Sequence, residues 1–118
     1  MNPDGELPVF VLWEKLTLSL FERTEKFPRS VRPTLTVRIE NAALDVLEGL
    51  VTARFQAGRE KLGTLRTLDD RVTRLRVLLR LAAARGHLST GGYEDLNRQI
   101  DEAGRMLGGW RRQVAVSP

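Results

Sequence analysis

The residues best suited to chemistry in this chain are arginines. Sixteen of its nineteen cationic side chains are Arg, against three Lys, one His and no Cys. A guanidinium is always charged and presents a planar fork that can hydrogen-bond two oxygens of a phosphate or carboxylate at once. It is a binding group, not a proton shuttle. The charge is also uneven. Residues 1–58 carry seven basic and eight acidic groups, whereas residues 59–118 carry twelve and seven, so the +4 net charge is concentrated in the second half.

The catalytic inventory is thin. His87 is the only imidazole and falls in an expected loop. A zinc site would need carboxylates around that one ring, and no ligand spacing supports it. Glu-x-x-His pairs of the di-iron kind are absent, since Ala84 stands three residues before His87. Neither a Gly-x-Ser-x-Gly turn nor a phosphate-cradling Gly-x-x-x-x-Gly-Lys loop occurs. Asp69–Asp70 and Asp101–Glu102 read as solvated partners of Arg at three or four residues' distance. The sequence thus predicts no enzyme, no catalytic residue, no metal and no cofactor.

Charge alone does not position anything, so the elements matter next. With 118 residues, 42% apolar and 29% charged, the chain fits one domain, expected over 1–118 with an ordered core at about 7–114. Leu and Ala dominate and both favour helix. The apolar stretch Leu7–Leu12 is preceded by Asp4 and Glu6 and followed by Glu14 and Lys15. That pattern fits neither a signal peptide nor a membrane span, which predicts a cytoplasmic protein with no membrane partner.

Four helical segments are expected. The first opens at Pro8 and runs to about Phe27, with Val9, Leu12, Leu16 and Leu20 as its stripe; Phe27-Pro28-Arg29-Ser30 then reads as a stop and a cap. The second starts near Ser30–Pro33 and runs to about Gln56. Its apolar positions are Leu35, Ile39, Ala42, Val46, Gly49 or Leu50, and Ala53, and Gly58 marks its possible end. The third covers about Arg59–Arg85, with Leu65, Leu68, Val72, Leu75, Leu79 and Ala82 in steps of three and four, closed by Gly86. Ser89 or Thr90 caps the fourth, whose seam is Tyr93, Leu96, Ile100, Ala103, Leu107, Trp110 and Val114. Short links between long helices predict an all-α, antiparallel up-down-up-down four-helix bundle.

On the third helix, at about 100° per residue from Leu75, Arg76 and Arg80 fall on one flank, Arg66 opposite the seam, and Arg74 and Arg85 on the other flank. Arg105, Arg111 and Arg112 add charge late in the fourth helix, where cations also suit the helix dipole. Gly104, Gly108 and Gly109 each lower helix propensity by about 0.8–1.0 kcal/mol. They are expected where helix backbones approach closely, with Trp110 as an anchor within the bundle or between subunits.

Several stretches together resemble one family. They are Leu7-Pro8 opening a helix, Glu25-Lys26-Phe27-Pro28-Arg29-Ser30, Arg38-Ile39-Glu40-Asn41-Ala42-Ala43-Leu44, Leu75-Arg76-Val77-Leu78-Leu79-Arg80-Leu81-Ala82, and Gly104-Arg105-Met106-Leu107-Gly108-Gly109-Trp110. Their order and spacing over about Leu7–Arg112 are similar to the accessory variability determinant (Avd) proteins of diversity-generating retroelements. The resemblance implies a basic, homopentameric barrel of four-helix bundles. It also implies binding of the retroelement's reverse transcriptase and template RNA, in support of mutagenic cDNA synthesis. Of the arginines above, only Arg76 and Arg80 lie in a stretch that matches the family's Leu-Arg-x-x-Leu-Arg pattern. Two other readings stand beside this one: a bundle of the ribosomal RNA intervening-sequence type, and a structural adaptor for acidic proteins.

Overall fold

The structure, a computed structural model, describes residues 3–116. Among these it is all-helical and contains no strand. Four helices account for most of it: α1 (Pro3–Thr24), α2 (Val37–Arg54), α3 (Gly58–Ala84) and α4 (Thr90–Val116). Each helix packs mainly against two others, α1 against α2 and α4, and α3 against α2 and α4. Side-chain pairs give the register. Asp45 meets Arg71, and Gly49 faces Leu68, so positions rise along α2 as they fall along α3. Arg76 meets Asp101 and Asp69 meets Arg111, which gives α3 and α4 the same relation. This is compatible with an up-down order.

Most seam positions read from the sequence fill the interior, but Leu12 of α1 and Tyr93 and Val114 of α4 are only half-buried at its edge. Leu65, Leu75, Leu79, Leu96 and Ile100 are fully buried beside Trp13, Leu16 and Leu20 of α1. The second helix differs in one place: Ala43 is fully buried where Ala42 was expected, and Ala42 is half-buried. The Trp13 indole explains it. Its Nε1–H donates to the Ala43 carbonyl at 2.8 Å, which turns that side of α2 toward the core.

The boundaries show where local chemistry overrode pattern. Pro8 lies inside α1 instead of opening it. The helix ends at Thr24, three residues before Phe27, and the amides of Lys26 and Phe27 close the turn onto Arg23 and Thr24. Ser30 caps nothing. It sits in a single 3-10 turn, Arg29–Val31, that leads into a wide turn, Arg32–Thr36. Pro33 has no N–H and crowds the carbonyl four residues back, so the chain cannot enter α2 with regular α bonding. The Val37 amide instead reaches Arg32, five residues away. Gly58 does not end α2, which stops at Arg54. It opens α3 with φ +59° after a three-residue reversal.

The far end of α3 follows expectation. Gly86 adopts φ +81°. Its amide bonds the Ala83 carbonyl at 3.0 Å and the His87 amide bonds Ala82 at 2.9 Å, the paired bonds of a Schellman closure. Gly86→Ala should lower stability by about 1–2 kcal/mol in equilibrium urea unfolding, because Cβ is strained in that conformation. Ser89 then caps α4, its Oγ accepting from the Gly92 amide at 3.0 Å.

Candidate nucleic-acid interface

The α3–α4 seam positions the arginines. Leu75 and Leu79 turn inward against Leu96, Ile100 and Ala103, and the residues flanking them must therefore edge the groove between the two helices. Arg76 and Arg80 line it from α3. Arg105, Arg111 and Arg112 line it from α4. Gly104 and Gly108 leave its wall bare of side chains, and the central space is about 600 Å³. Toward the Arg80 end the groove continues past Thr73 and Asp101 to Tyr93 and Asn97, both half-buried.

Two carboxylates stand inside this basic groove. Asp101 pairs with Arg76 and Asp69 with Arg111, each pair crossing from α3 to α4. The expectation that these aspartates would serve arginines on their own helix therefore fails for both. It holds for Asp70, whose carboxylate meets Arg74 one turn along α3 at 3.0 Å. Neighbouring helices in register offer a carboxylate as close as the next helical turn does. Period counting along one helix cannot see that option. Arg80, Arg105 and Arg112 are exposed and have no ion-pair partner among the described residues. The same is true of Arg66 and Arg85, which line none of the grooves described here.

The glycine reading needs correction. No backbone of another helix meets Gly104, Gly108 or Gly109 within the subunit. A Cβ on Gly104 would lie 3.3 Å from the Arg76 guanidinium. One on Gly108 would lie 3.4 Å from that of Arg112, and one on Gly109 would lie 3.9 Å from the same group. Within the subunit these glycines lie against arginine side chains, Arg76 of α3 at Gly104 and Arg112 of α4 itself at Gly108 and Gly109. The close helix contact is at Gly49, where a Cβ would lie 2.3 Å from a methyl of Leu68. Trp110 is the intrabundle anchor expected of it, 6% exposed, with the Lys61 ammonium 5.0 Å from its ring centroid.

Other arginines are fasteners. Arg71 ties α3 to Asp45 of α2 at 3.2 Å, and Arg23 ties α1 to Asp95 of α4 at 3.3 Å. Sequence reasoning also passed over Tyr93 as a groove residue and treated it only as part of the seam. Its place at the seam's first position, beside the helix end, was the available signal.

Among the described residues no group of three or more His, Asp or Glu side chains could hold a metal ion, and no helix is long and apolar enough to cross a membrane. Fold and site together define a four-helix protein with an arginine-lined groove between its last two helices. The chain belongs to the bAvd-like family, whose model matches residues 11–114. No curated protein matches it.

Proposed function

We propose that this chain is a non-enzymatic accessory protein of a diversity-generating retroelement. It is a single antiparallel up-down bundle that assembles with copies of itself, five by the family resemblance. In the cytoplasm it holds the template RNA and the reverse transcriptase of the same element while cDNA is made with errors. One observation carries the reading beyond family membership. The α3–α4 groove keeps Arg80, Arg105 and Arg112 exposed and without ion-pair partners among the described residues. Charge left open in this way can neutralise phosphates and release their counterions. A helical groove has no device for reading base edges, so recognition rests on backbone and shape.

Arg76→Ala with Arg80→Ala should weaken binding of RNA or polymerase about tenfold. Helicity should be unchanged and the melting temperature nearly so, since the one exposed ion pair lost contributes at most about 1 kcal/mol. Affinity by filter binding and co-purification with the polymerase, with and without nuclease, measure this. Unchanged affinity in both assays would remove the basic face from the function. A strict monomer in light scattering at micromolar concentration would count against self-assembly.

A further inference from the structure

We infer that the α3–α4 groove is a track for one single-stranded phosphodiester backbone, and that Asp69 and Asp101 are internal stand-ins for its phosphates. This rests on the RNA-binding reading above and assigns it a place and a strand form.

The shape argues for a strand. The groove runs from Arg111 and Arg112 past Arg105 and Arg76 to Arg80, Asn97 and Tyr93. Residues 93–112 of a helix span roughly 28 Å. Packed helix axes lie about 8–10 Å apart, so the surface groove above their seam is about one chain wide, while a duplex can only rest on the rims. The middle of the wall is glycine, and against it lie the Arg76 and Arg112 guanidinium groups, where the phosphates of a strand can meet them. At one end Tyr93 gives a partly exposed ring on which a base can stack, with the Asn97 amide beside it.

The electrostatics argue for exchange. Gly104 and Gly108 are one turn apart, and they carry the guanidinium groups of Arg76 and Arg112 against the bare helix. Arg76 is already engaged by Asp101, and Arg111 by Asp69, from opposite helices. Both pairs are only partly shielded: side-chain exposures are 37% and 53% for the first, 38% and 29% for the second. Such pairs are weak enough to open for a phosphate. In the free protein the carboxylates hold two arginines aimed into the groove and keep its field low. In the complex the phosphates take those arginines, and the displaced carboxylates repel the strand. Asp69 and Asp101 therefore limit affinity.

Fluorescence anisotropy with a labelled oligouridine, titrated over a range of salt, tests this in the full chain. Each exposed pair holds binding back by up to about fivefold. Asp69→Asn with Asp101→Asn should therefore bind about tenfold tighter. Arg105→Ala with Arg112→Ala should bind more weakly and flatten the log–log salt dependence by about 1.4, at roughly 0.7 per phosphate on a single strand. Arg32→Ala with Arg59→Ala removes the same two charges outside the groove and should alter the slope far less. Circular dichroism verifies that each variant is folded.

If the asparagine pair binds no tighter, the stand-in role fails. If the Arg105 and Arg112 pair matches the Arg32 and Arg59 pair, the groove is not the track, although RNA binding elsewhere survives. A duplex of equal length bound as tightly as the oligouridine overturns the single-strand assignment. A polyglutamate peptide that competes as well as the oligouridine overturns the phosphate assignment. Failure of the wild-type chain to bind any nucleic acid overturns the RNA reading itself.

Discussion

Trp13→Ala should destabilise the protein by about 3–5 kcal/mol, the range for deleting a buried aromatic side chain. Against a total of about 5–15 kcal/mol for a typical domain, that is enough to unfold a substantial fraction at growth temperature. The magnitude follows from two contributions. The indole is 1% exposed and fills the level at which α1 passes Ala43 of α2, so truncation leaves a cavity the small neighbour cannot fill. The same ring also donates the 2.8 Å hydrogen bond that fixes α1 against α2. Trp13→Phe separates the contributions. It keeps most of the apolar volume and loses the donor, and the carbonyl it abandons still serves the α2 ladder. That variant should lose about 1 kcal/mol for the hydrogen bond and somewhat more for the unfilled volume. Equilibrium urea unfolding at fixed protein concentration reads both. An alanine variant within 1 kcal/mol of wild type would mean that α1 is not docked through Trp13.

Which features were legible in the sequence depends on whether they are local or lie between elements. The seam of α3 from Leu65 to Ala82 was readable because each step of three or four returns to the same side of one helix, and every one of those residues is buried. Gly86 was readable because its requirement is confined to a helix end. The wide turn Arg32–Thr36 was not. Pro33 announces a break in α bonding, but the form of the break depends on where α2 has to start against α1. The candidate site divides in the same way. Arg76 and Arg80 were placed on a flank from their own helix, and they lie there. That Asp101 would occupy Arg76, or Asp69 occupy Arg111, depends on the register of α3 against α4, which no single-helix periodicity contains. The glycines of α4 show the same limit in reverse. Their low helix propensity pointed to a close approach of helix backbones, whereas within the subunit Arg76 of α3 lies against Gly104 and Arg112 of α4 itself lies against Gly108 and Gly109.

Gly49 separates packing from propensity, and Gly49→Val should be strongly destabilising, by about 3 kcal/mol. In a helix interior, replacing Gly by Ala gains about 0.5–1 kcal/mol when nothing is in the way. Gly63 in α3 is such a position, with no atom within 4 Å of an added Cβ, and Gly63→Ala should show that gain in full. At Gly49 the same methyl would sit 2.3 Å from Leu68 Cδ2 and 3.3 Å from its Cγ. Leu68 is 3% exposed, so α2 and α3 must part or Leu68 must leave its rotamer and give up part of its burial. Overpacking of this kind costs about 1–3 kcal/mol, which exceeds the propensity gain. Gly49→Ala should therefore be destabilising overall, and valine, with two further methyl groups, more so. The cause is testable by a double-mutant cycle. Leu68→Ala alone loses about 2–5 kcal/mol to its cavity, yet it also vacates the space the new methyl needs. Combined, Gly49→Ala and Leu68→Ala should cost less than the sum of the two by at least about 1 kcal/mol, a coupling expected only of residues in contact. Strict additivity would place the source of the loss outside the α2–α3 contact.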